Sequence, residues 1–343
     1  MPSYLQEQWY VCSWSHSLTD QPIGTNLLNE RVVLWRDGTG RARAAVDQCP
    51  HRGTQLSLGS VDESGCITCP YHGWRFDSSG RCIEVPQNSP ETAIPRKAAL
   101  TSIACEERYG MIWLCLGEPH FSIPSFPEWT NPRFHHVSCS PYTWECSAER
   151  MLENFTDFGH LGYLHDGLLG RRDDLIVPEH QVTSEANQLR YQMTMVVPNA
   201  GESLPVANFR GESGLQTNTY VVDLPYTIHL QSYYHDTQSS RVLFFSIQPH
   251  SDGRATGYCY QSRDFDLEAD DSPFVEFQEL LAAQDQPIVE SQRPVAAPLD
   301  LTSELHLGFD RVAIAYRRAM KRLMETASST PTRVNHKEEV TCM

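Results

Sequence analysis

The chain has 343 residues, 40 % hydrophobic and 20 % charged, a composition suited to a water-soluble globular protein with one large or two medium cores. Its formal charge of −16 excludes the basic face that nucleic-acid binding needs, and no apolar run approaches the ~20 residues of a membrane span. The opening MPSYLQEQWYVCSW lacks the charged and apolar regions of an export signal, and eleven scattered cysteines make an odd number. A reducing cytoplasm, with free thiols and metal ligation, is therefore expected rather than a disulfide framework.

In chain order, ERVVLWRDG and RARAAVDQ flank the turn-like DGTG and predict a hairpin. EERYGMIWLCLGEP predicts a further strand ended by Gly and Pro. Residues 118–132 carry four prolines and no periodicity, so a linker is expected there. SAERMLENFTDFGHLGYLH follows, with Met151, Phe155 and Phe158 at helical spacing. From about residue 179 the pattern is of long antiparallel strands. A helix is predicted next, with Ser272 as N-cap, Pro273 at its first position and Phe274, Phe277 and Leu281 on one stripe. FDRVAIAYRRAMKRLMET predicts a last helix, and the polar remainder predicts a disordered tail. The expected class is α+β: an all-β domain over 1–118, a larger catalytic domain over 119–326, and a tail over 327–343.

The stretch CPHRGTQLSLGSVDESGCITCPYHGW, residues 49–74, holds two short units that each begin Cys-Pro and end in His. A single Cys or His is ordinarily a small buried hydrophobe or a satisfied core imidazole. Two matched units argue for a shared ligand. Zinc sites usually keep like ligands together, whereas each unit here mixes one thiol with one imidazole. That mixture suits a binuclear cluster with one iron on two thiolates and the other on two imidazoles, the Rieske [2Fe–2S] arrangement. Neutral imidazoles remove negative charge, so the cluster accepts an electron more easily. Cys66 stands three before Cys69 and makes a rival zinc-like C-x2-C, but only Cys69 repeats the Cys-Pro of Cys49. The expected ligands are Cys49, His51, Cys69 and His72.

A second constellation is ENFTDFGHLGYLHDG, residues 153–167, with His160 and His165 five apart. On a regular helix that step leaves them about 140° apart, so Gly159 and Gly162 predict that the helix ends or bulges there. Glu153, Asp157 and His160 follow i, i+4, i+7 spacing and are expected to share a face, against the alternative of a solvated polar face. Two imidazoles and one carboxylate, with positions left open, form the facial triad of non-haem Fe(II) oxygenases. The third ligand is expected from elsewhere. Asp285 in LLAAQDQPIVESQ lies mid-helix, an unfavourable place for Asp, two residues before Pro287, which should kink or break the helix. Glu290 is the second candidate.

With these motifs together, CPHRG, CPYHGWRFD, ERYGMIWLCLG, ENFTDFGHLGYLH, QDQPIVESQ and DRVAIAYRR, the chain resembles the catalytic subunit of a Rieske non-haem iron oxygenase. The length and the C-terminal motifs are most similar to the dicamba and vanillate O-demethylase type, and LHDGLLGRRD to hydroxylases of saxitoxin biosynthesis. The resemblance implies a Rieske domain joined to a helix-grip (START-like) domain, with iron under a curved antiparallel sheet. It implies that His160, His165 and Asp285 bind the iron and that Asn154 lies close to it. It also implies that Asp157 bridges to the cluster of a neighbouring subunit in a homotrimer.

Oxygen activation at such a site takes electrons one at a time. GTGRAR lacks the third Gly or Ala of a dinucleotide fingerprint and lies in a hairpin turn, and no second cysteine cluster is present. NAD(P)H is therefore expected to be oxidised by a separate reductase or ferredoxin system. The expected reaction is monohydroxylation or oxidative demethylation of a small organic molecule with O2. The alternatives are a cis-dihydroxylating dioxygenase of the same family, a Rieske electron-transfer protein, or a START-like ligand-binding protein.

Overall fold

The computed structural model describes residues 3–197 and 213–329. A short helix, Ser3–Gln6 (α1), leads into Tyr10–Trp14 (β1), Ile23–Leu27 (β2), Glu30–Arg36 (β3) and Ala42–Val46 (β4). Four short strands follow: Ser60–Val61 (β5), Ile67–Thr68 (β6), Arg75–Phe76 (β7) and Cys82–Glu84 (β8). Ser102–Arg108 (β9) and Met111–Cys115 (β10) then return to the first sheet, whose order is β1-β10-β9-β4-β3-β2. The β5–β8 strands form a separate four-stranded sheet that carries the cysteine loops. The β3–β4 hairpin forms around DGTG, with Gly40 at φ +81°. The expected single strand over 106–119 is instead parts of β9 and β10 joined by a tight turn. Tyr109 and Gly110 both sit at positive φ, as a primed hairpin turn requires. The turn is hard to read from the sequence because Tyr is a poor turn signal.

The second unit contains His135–Ser138 (β11), Tyr142–Trp144 (β12), Ala148–Thr156 (α2), Leu161–Leu164 (α3), Val182–Glu185 (β13) and Gln188–Val196 (β14). Leu215–Asp223 (β15), Thr227–Tyr234 (β16), Ser239–Ser251 (β17) and Arg254–Arg263 (β18) follow, then Ser272–Ser291 (α4) and Arg311–Ser329 (α5). The strands make one antiparallel sheet, β11-β18-β17-β16-β15-β14-β13, with β12 paired to β18. α2 packs against β17 and β18, and also against α4 and α5. The sheet alternates as antiparallel geometry demands. On β17, Arg241 and Leu243 face the helices, while Val242 and Phe244 face the first domain.

The proline-rich segment 118–132 is an ordered part of the domain contact. Prolines remove backbone donors but do not prevent packing, and Ile123 and Phe126 are buried with Val11, Trp14, Trp113 and Phe244. The Phe126 and Phe244 rings stack with centroids 4.5 Å apart and planes 3° from parallel. α4 begins at Ser272, one residue earlier than expected, with Asp271 in the cap position and Pro273 second. It also runs through Pro287 to Ser291 without breaking, because tertiary packing of Leu281, Ala282 and Val289 holds it. α5 extends to Ser329, three residues into the expected tail, and the remainder of that tail lies outside the described residues. The ten described cysteines are all free.

Phe126→Ala should cost about 3–5 kcal/mol in urea unfolding, because a stacked, fully packed ring is lost between the two units. A loss below about 1 kcal/mol would mean that the segment merely tethers them.

Candidate metal centres and cavity

The two Cys-Pro units fold into the same loop. The Cys49 N–H donates to Thr54 O at 2.8 Å and the Gly53 N–H to Cys49 O at 2.9 Å. In the second unit, the Cys69 N–H donates to Trp74 O at 2.9 Å and the Gly73 N–H to Cys69 O at 3.0 Å. Gly53 and Gly73 both sit at positive φ, +77° and +70°, which closes each loop where a side chain would be strained. Cys49 and Cys69 are buried at 2 % exposure each. His51 and His72 lie nearer the surface, with their Nδ1 atoms 3.2 Å apart. Burial pushes the Cys49 thiol up to about 11, the Cys69 sulfur beside it adds to that, and the His51 and Arg52 N–H groups pull the other way. Paired sulfurs inside, facing imidazole nitrogens outside and backbone donors aimed at sulfur fit a Rieske cluster. Cys66 faces Asp62 and Arg75 instead, apart from both loops. His51 stacks on Trp74 at 4.6 Å, and Tyr71, 65 % exposed, covers His72.

α2 ends at Thr156, and Asp157 adopts an extended conformation at φ −83°, ψ 135°. The chain then turns on Asp157, whose Oδ1 accepts the Gly159 N–H at 3.0 Å and whose Oδ2 accepts the His160 N–H at 3.0 Å. Asp157 Oδ2 also lies 2.7 Å from His160 Nδ1. A carboxylate only accepts, so that imidazole carries its proton on Nδ1 and presents a bare Nε2. His165, 1 % exposed, has its Nδ1 2.7 Å from Gln284 Oε1, which leaves its Nε2 bare as well. Burial pushes the Asp157 carboxyl up, but His160 and the two backbone donors outweigh it and hold it below the ordinary range.

Asp285 of α4 completes the group. Its Oδ1 is 3.1 Å from His165 Nε2 and 3.6 Å from His160 Nε2, yet it has no hydrogen-bond partner. Ligand atoms of His160, His165 and Asp285 all lie within 4.8 Å of one another. Three lone pairs converging in a buried place repel unless a cation sits between them. The donor set, two imidazoles and a carboxylate, fits a divalent iron with open positions.

These three side chains sit at one end of a cavity between the sheet and α4. Tyr220, Leu230 and Leu243, paired across β15, β16 and β17, form an apolar row of the sheet wall. Two residues further along, Asn218, Ser232 and Arg241 form a polar row. Asn154 and Phe155 of α2 line the cavity beside His160.

Residues 8–105 match the Rieske [2Fe-2S] domain family, and residues 144–326 match the vanillate O-demethylase oxygenase C-terminal domain family. The methylxanthine N1-demethylase NdmA of Pseudomonas putida is 33 % identical over 336 residues, covering 94 % of this chain and 90 % of that one. The methylxanthine N3-demethylase NdmB of the same species is 30 % identical over 95 % of this chain and 91 % of its own. The solved structure of P. putida CBB5 NdmA with caffeine superposes with a TM-score of 0.83 at 32 % identity, covering 95 % of this chain and 93 % of that one. The chain belongs to the Rieske non-haem iron oxygenases. It is an α+β monooxygenase with a Rieske cluster and a mononuclear iron. It uses O2 and electrons from a separate donor to demethylate or hydroxylate a small organic molecule.

Within this oxygenase, two sequence expectations need correction. Glu153, Asp157 and His160 line one pocket but do not lie on one helix, because α2 stops at Thr156. The Glu153 carboxylate meets buried Arg317, at 2.5 Å from Nε and 2.7 Å from Nη2. Glu304 joins that network by accepting from both Arg317 and Arg150. Glu290 is not at the iron site either; its Oε1 accepts from the Glu145 N–H at 2.9 Å and from Gln286 Nε2 at 2.8 Å. Gln284, which orients His165, escaped the sequence reading, although its place beside Asp285 was the available signal.

Purified oxygenase should contain two sulfides and about three irons per chain. Cys69→Ser should bleach its visible absorption, while Cys66→Ser should leave the spectrum intact. Bleaching by the Cys66 change would reassign a cluster ligand.

Proposed function

We propose that Cys49, His51, Cys69 and His72 hold the Rieske cluster, and that His160, His165 and Asp285 hold the mononuclear iron. The observation that carries this is the convergence of two bare Nε2 atoms and an unpartnered Asp285 Oδ1 at one end of the cavity. When bound, the iron supplies O2 activation. This chain's residues do the rest: Asp157 and Gln284 fix the two imidazole tautomers, Asn154 lines the wall beside the metal, and the apolar row excludes water from the substrate carbon. The relatives named as N-demethylases favour oxidative demethylation over hydroxylation. No helix among the described residues is long and apolar enough to cross a membrane, and we place the enzyme in the cytoplasm, where NAD(P)H can feed its reductase or ferredoxin.

We infer further that the protein works as a homotrimer in which Asp157 links His160 to His72 of the next subunit. Asp157 keeps 34 % of its side chain exposed, and its carboxylate has lone pairs beyond those used within the loop. Around it lie Tyr163, Ile288, Leu305 and Phe309, exposed by 61, 50, 86 and 43 %, an apolar surface suited to burial between subunits. Heterologous contacts whose rotation closes form rings.

Asp285→Ala should lose one iron per chain and all turnover while keeping the Rieske spectrum, and Glu290→Ala should keep both. The reverse result would place the third ligand on Glu290.

Asp157→Asn should retain both metals and the trimer yet slow turnover, because it alters the charge of the bridge and not the ligands. Mixing Cys69→Ser chains with His160→Ala chains should restore partial activity in mixed trimers. Confirmed co-assembly without activity would disprove the inter-subunit route.

A further inference from the structure

Four arginines are buried among the described residues, and three of them have carboxylate partners. Arg150 meets Glu304, Arg263 meets Asp271 at 2.8 Å, and Arg317 meets Glu153 at 2.5 Å. The fourth is Arg241, 7 % exposed, on β17. Among the described residues no carboxylate pairs with it and no acceptor takes a hydrogen bond from it. Its only described partner is the ring of Phe277, 5.9 Å from the guanidinium carbon, at the outer reach of a cation–π contact. A guanidinium keeps its proton in a protein, so among the described residues this charge faces the cavity with no carboxylate beside it.

Arg241 lines the substrate cavity at the end away from the iron ligands. It stands in the polar row with Asn218 and Ser232, one side-chain repeat or about 7 Å along the strands from the apolar row of Tyr220, Leu230 and Leu243. The opposite wall agrees. On α4, Gln278, Leu281 and Asp285 share one face, and Gln278 lies two turns, about 10 Å, from Asp285. Two buried amide oxygens at this end, Gln216 Oε1 and Gln278 Oε1, lack a donor among the described residues; as acceptors they would meet a donor on the substrate and not its anionic group. The cavity is thus polarised: the His160, His165 and Asp285 group with apolar side chains at one end, a cation and amides at the other.

Resting on the oxygenase reading above, we propose that the substrate is an organic oxyanion, a carboxylate or sulfonate, whose charged group pairs with Arg241. Its apolar body then lies along Leu230 and Leu243, which presents a carbon remote from the anion to the iron end. The planar fork of Arg241 matches both oxyanions bidentately. Arg241 is a binding residue here, and it selects against neutral molecules of the same shape because they would leave the guanidinium unpaired.

Calorimetric titration of the holoenzyme with benzoate, benzenesulfonate and benzamide tests this directly. At least one anion should bind more tightly than benzamide, and the stronger of the two identifies the oxyanion. Arg241→Met should weaken that anion by about 10- to 100-fold and erase the preference, while Arg241→Lys should keep part of it. Benzamide binding as well as both anions, or a Met variant that binds the anion as tightly as the parent, would overturn the proposal and make Arg241 a packing residue. Repeating the titration in Asp285→Ala separates the two readings. Anion preference there should persist whether or not the iron assignment holds.

Discussion

A buried carboxylate oxygen facing two bare imidazole nitrogens is the constraint around which the catalytic domain is arranged. Alone, the three atoms repel; with a cation between them, each gains. The protein therefore has to hold them rigidly from outside. It does so with a second partner on each imidazole, Asp157 for His160 and Gln284 for His165. Gln284 and Asp285 are neighbours on α4, so in the proposed site one helix would supply both a ligand and the orienting group of another. The end of α2 matters equally. If the helix continued past Thr156, the Asp157 turn could not form and His160 would point elsewhere.

The same sheet that covers this group also joins the two domains. Because side chains alternate along β17, Arg241 and Leu243 line the cavity while Val242 and Phe244 pack with Trp113, Ile123 and Phe126. Substrate wall and domain contact are the two faces of one strand. A shift of the first domain is then felt in the cavity, since a packed core transmits strain instead of absorbing it. Polar cohesion within the cavity follows the same pleat: Asn218 Oδ1 accepts from Ser232 Oγ at 2.7 Å and from Gln216 Nε2 at 3.0 Å, all on the cavity side.

At the other centre the arrangement separates the two ligand types by depth. Sulfur lies inside, where burial and backbone donors surround it, and imidazole lies outside, where Tyr71 and Trp74 flank it. His51 and His72 would present the partly exposed edge of a bound cluster, whereas Cys49 and Cys69 are closed in by protein. That exposure suits an edge that must meet other proteins.

The cysteine loops were legible from the sequence because they are local: each unit of five residues contains its own Cys, His and closing Gly, and short-range hydrogen bonds complete it. His160 and His165 were singled out in the same way, but α2 ends at Thr156, ahead of both, and a short helix, α3, runs between them. Asp285 could be read from a conflict, an Asp in mid-helix before a Pro, since a local rule broken there implied a gain elsewhere. Glu153 misled because helical periodicity assumes a helix that continues, and a single residue in extended conformation at Asp157 cancels it. The ordered packing of 118–132, the partner of Glu153 and the lack of a carboxylate beside Arg241 among the described residues were invisible, because each depends on residues brought from far along the chain. The sequence by itself determined the ligand types, their loops and the chemistry they serve. Only the tertiary structure decided which charges meet a partner, because pairing across a sheet or between helices is set by packing and leaves no periodic mark in the chain.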